Sequence, residues 1–270
     1  MPPTVLITGA SSGIGKAFAQ VFAQHQHTLI LVARSQDTLK DLQQTLSSEH
    51  GITAIVVAQD LTEPNAAQHV FDRVTQQNLT VDVLINNAGI GDYSRFAGSD
   101  WQKLQSMILL NVLALTRLSH LFLPEMIARG QGKILNVAST AAFQPGPMMA
   151  VYFASKAYVL SLSEAIAAET ADTGVTVTVL CPGPTQSNFA NTANMGQIAA
   201  MENVSESNFP TALAVADYGY RKLQEGKVVA VHGLLNKLLA FSPRITPRSL
   251  IRNGIMKFMS ASKANSQTPE

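Results

Sequence analysis

The sequence predicts an α/β fold: a doubly wound, mostly parallel seven-stranded sheet with helices on both faces. Three observations carry that expectation. Short β-rich apolar runs alternate with helix-length amphipathic stretches up to about residue 233, the pattern of successive βαβ units. Hydrophobic residues make up 46% of the 270 positions and charged ones only 14%, so a large buried core is available. No internal repeat, low-complexity linker or domain boundary interrupts the alternation. A single domain over residues 1–233, followed by an extension over 234–270, is therefore expected.

The first strand, Thr4–Thr8, runs into Thr8-Gly9-Ala10-Ser11-Ser12-Gly13-Ile14-Gly15-Lys16 and then a helix over Gly15–His25. Glycines there allow a tight turn and close backbone approach to a pyrophosphate, and the helix N-terminus offers N–H groups to its charge. Without a ligand the same loop would be a plain strand–helix turn. The context, after a strand and before a helix, favours a dinucleotide. The second strand, Thr28–Val32, ends in Ala33-Arg34-Ser35 with no acid until Asp37. An acid there would take a ribose 2′-hydroxyl, whereas an arginine fork suits a 2′-phosphate. Arg34, helped by Ser35, thus favours NADP(H) over NAD(H). Its bland alternative is a solvated cation at a strand end.

A helix over Gln36–Glu49, a strand over Ala54–Ala58, a helix over Asn65–Gln77 and a strand over Val81–Ile85 continue the rhythm. A long helical pattern covers Asp100–Arg129, and the fifth strand is Lys133–Val137. The helix Val151–Thr170 carries Tyr152 and Lys156 four residues apart, with Ser139 thirteen residues upstream of the tyrosine. Positions i and i+4 share one helix face. An ammonium beside a phenol, whose free pKa is about 10, favours phenolate and lowers that value. A serine hydroxyl can then hold the oxygen of a substrate that the tyrosine protonates or deprotonates. Strands over Val175–Leu180 and Lys227–Val231 complete the sheet.

Other features narrow the class. A net charge of +1 gives no electrostatic footprint for nucleic acid. The one cysteine, Cys181, fits a reducing compartment and reads as a small buried residue at a strand end. His25, His27, His50, His69, His120 and His232 show no metal-ligand spacing, so no metal is expected. The N-terminus enters a strand without a basic and long apolar leader, and apolar runs are broken before the ~20 residues of a membrane span. A cytoplasmic location is the expectation.

Taken together these residues resemble the short-chain dehydrogenase/reductase family, in its compact single-domain branch. The resemblance covers residues 4–233 and rests on the loop Thr8-Gly9 to Gly15, Asp60-Leu61, Asn86-Asn87-Ala88-Gly89, Asn111, Ser139, Tyr152 with Lys156, and Pro182-Gly183. It implies a Rossmann-type fold and hydride transfer between NADP(H) and a carbonyl or secondary alcohol. By that resemblance Tyr152 is the general acid or base, Ser139 orients the substrate oxygen, and Lys156 lowers the tyrosine pKa and holds the nicotinamide ribose. Asn111 anchors a water in the proton relay. Gly9, Ser11, Ser12, Gly13, Ile14 and Gly15 meet the phosphates. Asp60 and Leu61 flank the adenine, and Asn87, Ala88 and Gly89 line the adenosine ribose side. Pro182, Gly183, Thr185 and Ser187 border the nicotinamide. Singly, Ser139 could be a strand-end cap, Asn111 a satisfied helix polar group, and Asp60 the cap of the next helix.

Three features depart from the family pattern. Pro184 has no N–H for a nicotinamide carboxamide. Thr185 and Ser187 compete for one hydroxyl position. No basic residue precedes Gly13, which leaves phosphate selectivity mostly to Arg34. A long segment over Thr185–Asn208 suggests a substrate loop. Phe143, Pro145, Met148, Met149, Phe189, Met195, Ile198 and Met201 suggest an apolar small-molecule carbonyl or alcohol. Leu234–Met259 is apolar and basic, with Lys237, Arg244, Arg248, Arg252 and Lys257 and no acid. It suits a cover over the cleft or a subunit interface, a peripheral contact with an anionic membrane, or an acidic partner. The resemblance also suggests a homodimer or homotetramer through Asp100–Arg129 and Val151–Thr170. Alternatives are a membrane-associated lipid or acyl ketone reductase and a non-catalytic nucleotide-sensing scaffold. The intact Tyr152, Lys156, Ser139 and Asn111 set argues against the scaffold.

Overall fold

The computed structural model describes residues 2–195 and 206–259. Seven strands, β1 (Thr4–Thr8), β2 (Thr28–Ala33), β3 (Ala54–Ala58), β4 (Val83–Asn86), β5 (Gly132–Val137), β6 (Val175–Cys181) and β7 (Val229–Val231), form one sheet. Their order is β3-β2-β1-β4-β5-β6-β7, and every pairing is parallel. The helices are α1 (Gly13–Gln24), α2 (Gln36–His50), α3 (Ala66–Gln76), α4 (Trp101–Ile108), α5 (Leu115–Ala128), α6 (Ala150–Glu169), α7 (Phe189–Thr192), α8 (Ala212–Gln224), α9 (Leu234–Phe241) and α10 (Arg248–Phe258).

The strands are continuously apolar because the sheet is covered on both faces. Side chains alternate across a strand, and the two layers divide accordingly. Val5 and Ile7 of β1 and Leu29 and Leu31 of β2 join Phe18 and Phe22 of α1. Leu6 and Ile30, the residues between, join Val70 of α3 and Phe122 and Met126 of α5 on the other face. Phe18 and Phe22 are fully buried, each a gain of about 2–3 kcal/mol. A buried polar chain ties this second layer together. Asn86 donates to Ser119 (3.0 Å) and to Asn136 (2.9 Å), and Asn136 donates to Ser163 (2.9 Å).

After β3 the chain returns to the other side of β1, placing β4 there. The order reverses at that point, and the crevice outside the carboxyl ends of β1 and β4 is where such sheets take ligands. The sheet edge differs slightly from expectation: β4 begins at Val83 rather than Val81, and the Asp82 carboxylate accepts the Thr4 N–H at 2.8 Å. β7 likewise begins at Val229 rather than Lys227.

The long helix predicted over Asp100–Arg129 is found, but it widens into a π-helical turn over Leu109–Ala114 between α4 and α5. By length and composition Trp101–Ala128 could cross a membrane, which corrects the expectation that polar residues break every apolar run. Within the fold, Leu104, Met107, Leu115, Leu118, Phe122 and Met126 of this helix are buried. The expected substrate loop holds α7 and a short 3₁₀ turn at Glu206–Asn208. Residues 196–205, with Ile198 and Met201, lie outside the described residues.

Candidate active site

The glycine loop is shaped by conformation and by crowding. Gly9 (φ +67°) lies in the left-handed region that favours glycine. A Cβ on Gly15 would stand 2.2 Å from the Gly9 carbonyl oxygen. Thr8, the last residue of β1 and the first of the loop motif, fixes this loop. Its Oγ1 accepts the N–H groups of Asn87 and Ala88, both at 3.0 Å, while Asn87 Nδ2 donates to the Thr8 carbonyl at 3.0 Å. The Asn87 amide therefore holds the loop, and Ala88 and Gly89 follow it at the crevice. Ser12 caps α1 without a side-chain hydrogen bond, and no acid occupies the first turn. The first N–H groups of α1, with Ser11, Gly13 and Ile14, thus form a cradle suited to an anion.

At the end of β2, Arg34 is 76% exposed, and its guanidinium stands 3.9 Å from the Asp60 carboxylate. Asp60 accepts from the Thr62 N–H (2.9 Å) and hydroxyl (2.7 Å), so it fastens the turn after β3 rather than capping α3. Leu61 is buried in the layer beneath the sheet. Ser35 pairs its hydroxyl with that of Thr38 at 2.7 Å in the first turn of α2.

On the far side of the crevice both competing hydroxyls turn to main-chain carbonyls, that of Ser187 to Thr185 at 3.3 Å. Thr185 turns its hydroxyl back to the Gly183 carbonyl (2.9 Å), whereas Ser187 lies so near the glycine loop that a Cβ on Gly13 would be 3.5 Å from its own. Asn236 of α9 packs on Gly183, where a Cβ would come within 2.6 Å of its Nδ2. No local signal in the sequence pointed to Asn236.

α6 brings the proton-transfer groups together. Lys156, 5% exposed, donates to the Val137 carbonyl at 2.9 Å, and its Nζ lies 5.8 Å from the centre of the Tyr152 ring. Ser139 accepts the Ala141 N–H at 3.1 Å, its hydroxyl donates to the Pro182 carbonyl at 3.4 Å, and it stands near enough to the Tyr152 phenol to act on its pKa. It is a strand-end cap and a neighbour of the phenol at once. Asn111 sits in the π-helical turn, a feature common at functional sites. Its Oδ1 accepts the Ile90 N–H (2.9 Å), and its Nδ2 donates to the Ile90 carbonyl (2.9 Å) and Ser155 (3.1 Å). The Asn111 carboxamide is thus committed within the fold at both its oxygen and its nitrogen.

One electrostatic expectation is corrected. Tyr152 keeps some accessible surface, yet burial pushes its pKa up to about 12, with the nearby Ser139 hydroxyl acting in the opposite direction. Burial also pushes Lys156 down to about 8. The i, i+4 spacing predicted an ammonium that lowers the phenol. In the fold the ammonium is directed to a main-chain carbonyl, and loss of solvent outweighs it. At neutral pH Tyr152 is a protonated donor. Cys181 is wholly buried, and burial pushes its thiol up to about 12.

Apolar side chains surround Tyr152. The Phe189 ring centre lies 5.3 Å from that of Tyr152, and the cluster includes Tyr93, Met148, Met149, Phe153, Met195, Ile255 and Met259. Ile255 and Met259 come from the C-terminal extension. Hydrogen bonds hold this lobe in place: Tyr93 N–H to the Ala193 carbonyl (2.8 Å), Ser94 N–H to the Met148 carbonyl (2.8 Å), and the Tyr93 hydroxyl to the Met259 carbonyl. Met148 adopts φ +69°, a strained conformation for a non-glycine residue of the kind that gathers at functional sites. Phe143 and Pro145 border a different space, described below. Among the described residues no three His, Cys, Asp or Glu side chains gather as metal ligands.

A phosphate cradle and a tyrosine–serine–lysine group at one sheet crevice define an oxidoreductase of the Rossmann type. The family model for short chain dehydrogenases matches residues 3–197. The chain belongs to that family. It is 37% identical over 180 residues to ketoacyl reductase HetN of Nostoc sp., covering 67% of this chain and 62% of that protein's length. It is 33% identical over 227 residues to a very-long-chain 3-oxoacyl-CoA reductase of Phaeosphaeria nodorum, covering 76% and 67%. Among solved structures, a short-chain dehydrogenase from Sphingobium yanoikuyae in complex with NADPH superposes with a TM-score of 0.79 at 29% identity, over 99% of each chain. A family member from Burkholderia phymatum in complex with NAD gives 0.78 at 25%, over 88% of this chain and 92% of that one. A nicotinamide dinucleotide is thus the supported cofactor class.

Proposed function

We propose that the protein is an NADP(H)-dependent reductase of an apolar ketone, working reversibly on the secondary alcohol. The observation that carries this reading is the gathering of Tyr152, Lys156 and Ser139 at the same crevice as the glycine cradle, with the Lys156 ammonium 5.8 Å from the centre of the Tyr152 ring. The cofactor fits the residues present: a loop too crowded for side chains, uncapped N–H groups at α1, and Arg34 at the end of β2 with its fork largely free for a 2′-phosphate. The bound dinucleotide supplies the hydride. Ser139 hydrogen-bonds the substrate oxygen and holds it against Tyr152. Tyr152 donates its proton to that oxygen as negative charge develops. Lys156 stabilises the resulting phenolate by its charge, and the apolar cluster excludes water. The test is a screen of ketones of increasing size with NADPH and NADH. Turnover with a clear NADPH preference is expected. No turnover of any ketone with either cofactor would overturn the reading.

The reading places the enzyme in the cytoplasm as a homodimer or homotetramer, for which exposed Trp101, Ile108, Leu113 and Tyr158 on α4–α6 give support. The membrane-associated acyl ketone reductase stays as a second reading on one observation. Leu234, Leu235, Leu238, Leu239 and Phe241 are all exposed on α9, within the acid-free basic stretch. Co-sedimentation with anionic but not neutral vesicles, lost in Leu234→Ser/Leu238→Ser, would support it, and no co-sedimentation would remove it.

A further inference from the structure

A cavity of about 240 Å³ opens between the segment after β5 and the C-terminal extension. Phe143 and Pro145 line one side, and Pro243, Ile251 and the side chains of Arg244 and Arg248 line the other. The first side belongs to the connection between Ser139 and Tyr152. The second belongs to α9, α10 and the turn between them, and α10 also carries Ile255 of the cluster around Tyr152. Ile251 is one helical turn before Ile255, which packs in the group around Tyr152. At 1.5 Å rise per residue, Arg248 lies roughly 10 Å along α10 from Ile255.

We infer that this cavity is the distal subsite of the substrate cleft, and that Arg244 and Arg248 bind an anionic oxygen group (a carboxylate, sulfonate or phosphate) at the far end of the substrate. This rests on the reductase reading above and names the class of ketone it takes. Among the described residues, neither arginine has a carboxylate within ion-pair distance. Residues 234–259 hold five basic side chains and no acid. Two guanidinium forks match planar or tetrahedral oxyanions. The setting is also stiff. Pro243 and Pro247 fix φ on either side of Arg244. Arg248 opens the eleven-residue helix α10, so the positive end of its dipole adds to the guanidinium charge. Apart from the two arginines the cavity is lined by apolar side chains: Phe143, Pro145, Ala240, Pro243 and Ile251. The substrate that fits is amphipathic, with a carbonyl at Tyr152, a hydrocarbon span of roughly 10 Å, and a terminal anion.

The test compares oxo carboxylates of graded chain length with their neutral methyl esters, in the full-length enzyme with NADPH. Wild type should favour the acid over its ester at the spanning length, and the preference should weaken with added salt. Arg244→Ala/Arg248→Ala should lower kcat/KM for the acids about 10- to 100-fold, as expected for two charge-assisted hydrogen bonds, chiefly through KM. The esters should stay within about twofold. Equal losses on acids and esters, or no loss on either, would overturn the subsite. If wild type reduces neither series, the reductase reading fails separately, and octanoate binding decides the subsite. Octanoate held by wild type but not by the double variant sustains it, and equal binding by both overturns it.

Discussion

Around the carboxyl ends of β1 and β4 side-chain hydrogen bonds to the main chain fix the crevice. Thr8, Asn87, Asn111, Ser155 and Asp60 each hold backbone groups at defined distances. Over the ends of β5 to β7 the C-terminal cover is built differently. Of α9 and α10, only Ala240 is buried, along with Met259 just after α10, while leucines and arginines stand exposed. The first region is fixed by main-chain geometry, so it can present one cofactor in one place. The second is held by apolar contacts and a few hydrogen bonds, such as Tyr93 to the Met259 carbonyl, and leaves most of its side chains at the surface.

Substitutions sharpen this contrast in order of effect. Lys156→Met should lower turnover by about 10²- to 10⁴-fold, the range expected for an assisted proton transfer, while making the cofactor-free protein more stable at pH 7. Burial sets the folded pKa of Lys156 at about 8, below the ordinary 10.5. Where the unfolded chain binds more protons, stability rises with pH. The charged lysine therefore costs stability fully below pH 8, and the cost fades between pH 8 and 10.5. The expected gain is roughly 1–3 kcal/mol at pH 7, and the difference between variant and wild type in denaturant melts should shrink across that window. A variant less stable at pH 7 would show that the Val137 hydrogen bond outweighs the burial cost. By the same titration kcat/KM for NADPH, which reports free enzyme, should fall above about pH 8. Lys156→Arg should carry that fall upward.

Arg34→Ala should weaken NADPH binding by about 10- to 100-fold and leave NADH within about twofold, since only charge-assisted bonds to the 2′-phosphate are removed. Fluorescence titration checks both. An unchanged NADPH preference would mean that another group reads the phosphate.

The smallest effect belongs to the cover. Tyr93→Phe removes the hydrogen bond to the Met259 carbonyl and should cost about 1 kcal/mol, seen as faster amide exchange in α10. Dinucleotide affinity should not change. A loss of cofactor binding in this variant would break the proposed separation of the two regions.

What the sequence made legible follows the same division. Strand positions and the glycine loop could be read because they depend on local rules: short continuous apolar runs for strands covered on both faces, positive φ at Gly9, and backbone too close for a Cβ at Gly15. The catalytic residues could be read because their types and spacing recur as one chemistry. The π-helical turn at Leu109–Ala114 was not legible, because it answers to Ile90 and Ser155, which lie far from it in the chain. The raised pKa of Tyr152 was not legible either. The i, i+4 spacing gives proximity on a helix but says nothing of the Val137 carbonyl that takes the ammonium. Phe143 and Pro145 are expected from the sequence to border the substrate. Only the packing of α9 and α10 shows that they face Arg244 and Arg248 rather than the phenol.

The account turns on Tyr152 as the proton donor. Single-turnover oxidation of bound NADPH by a ketone, in wild type and Tyr152→Phe with cofactor affinity measured alongside, tests it most directly. The account predicts unchanged NADPH affinity and a rate lower by about 10²- to 10⁴-fold. Equal rates in the two proteins would contradict it.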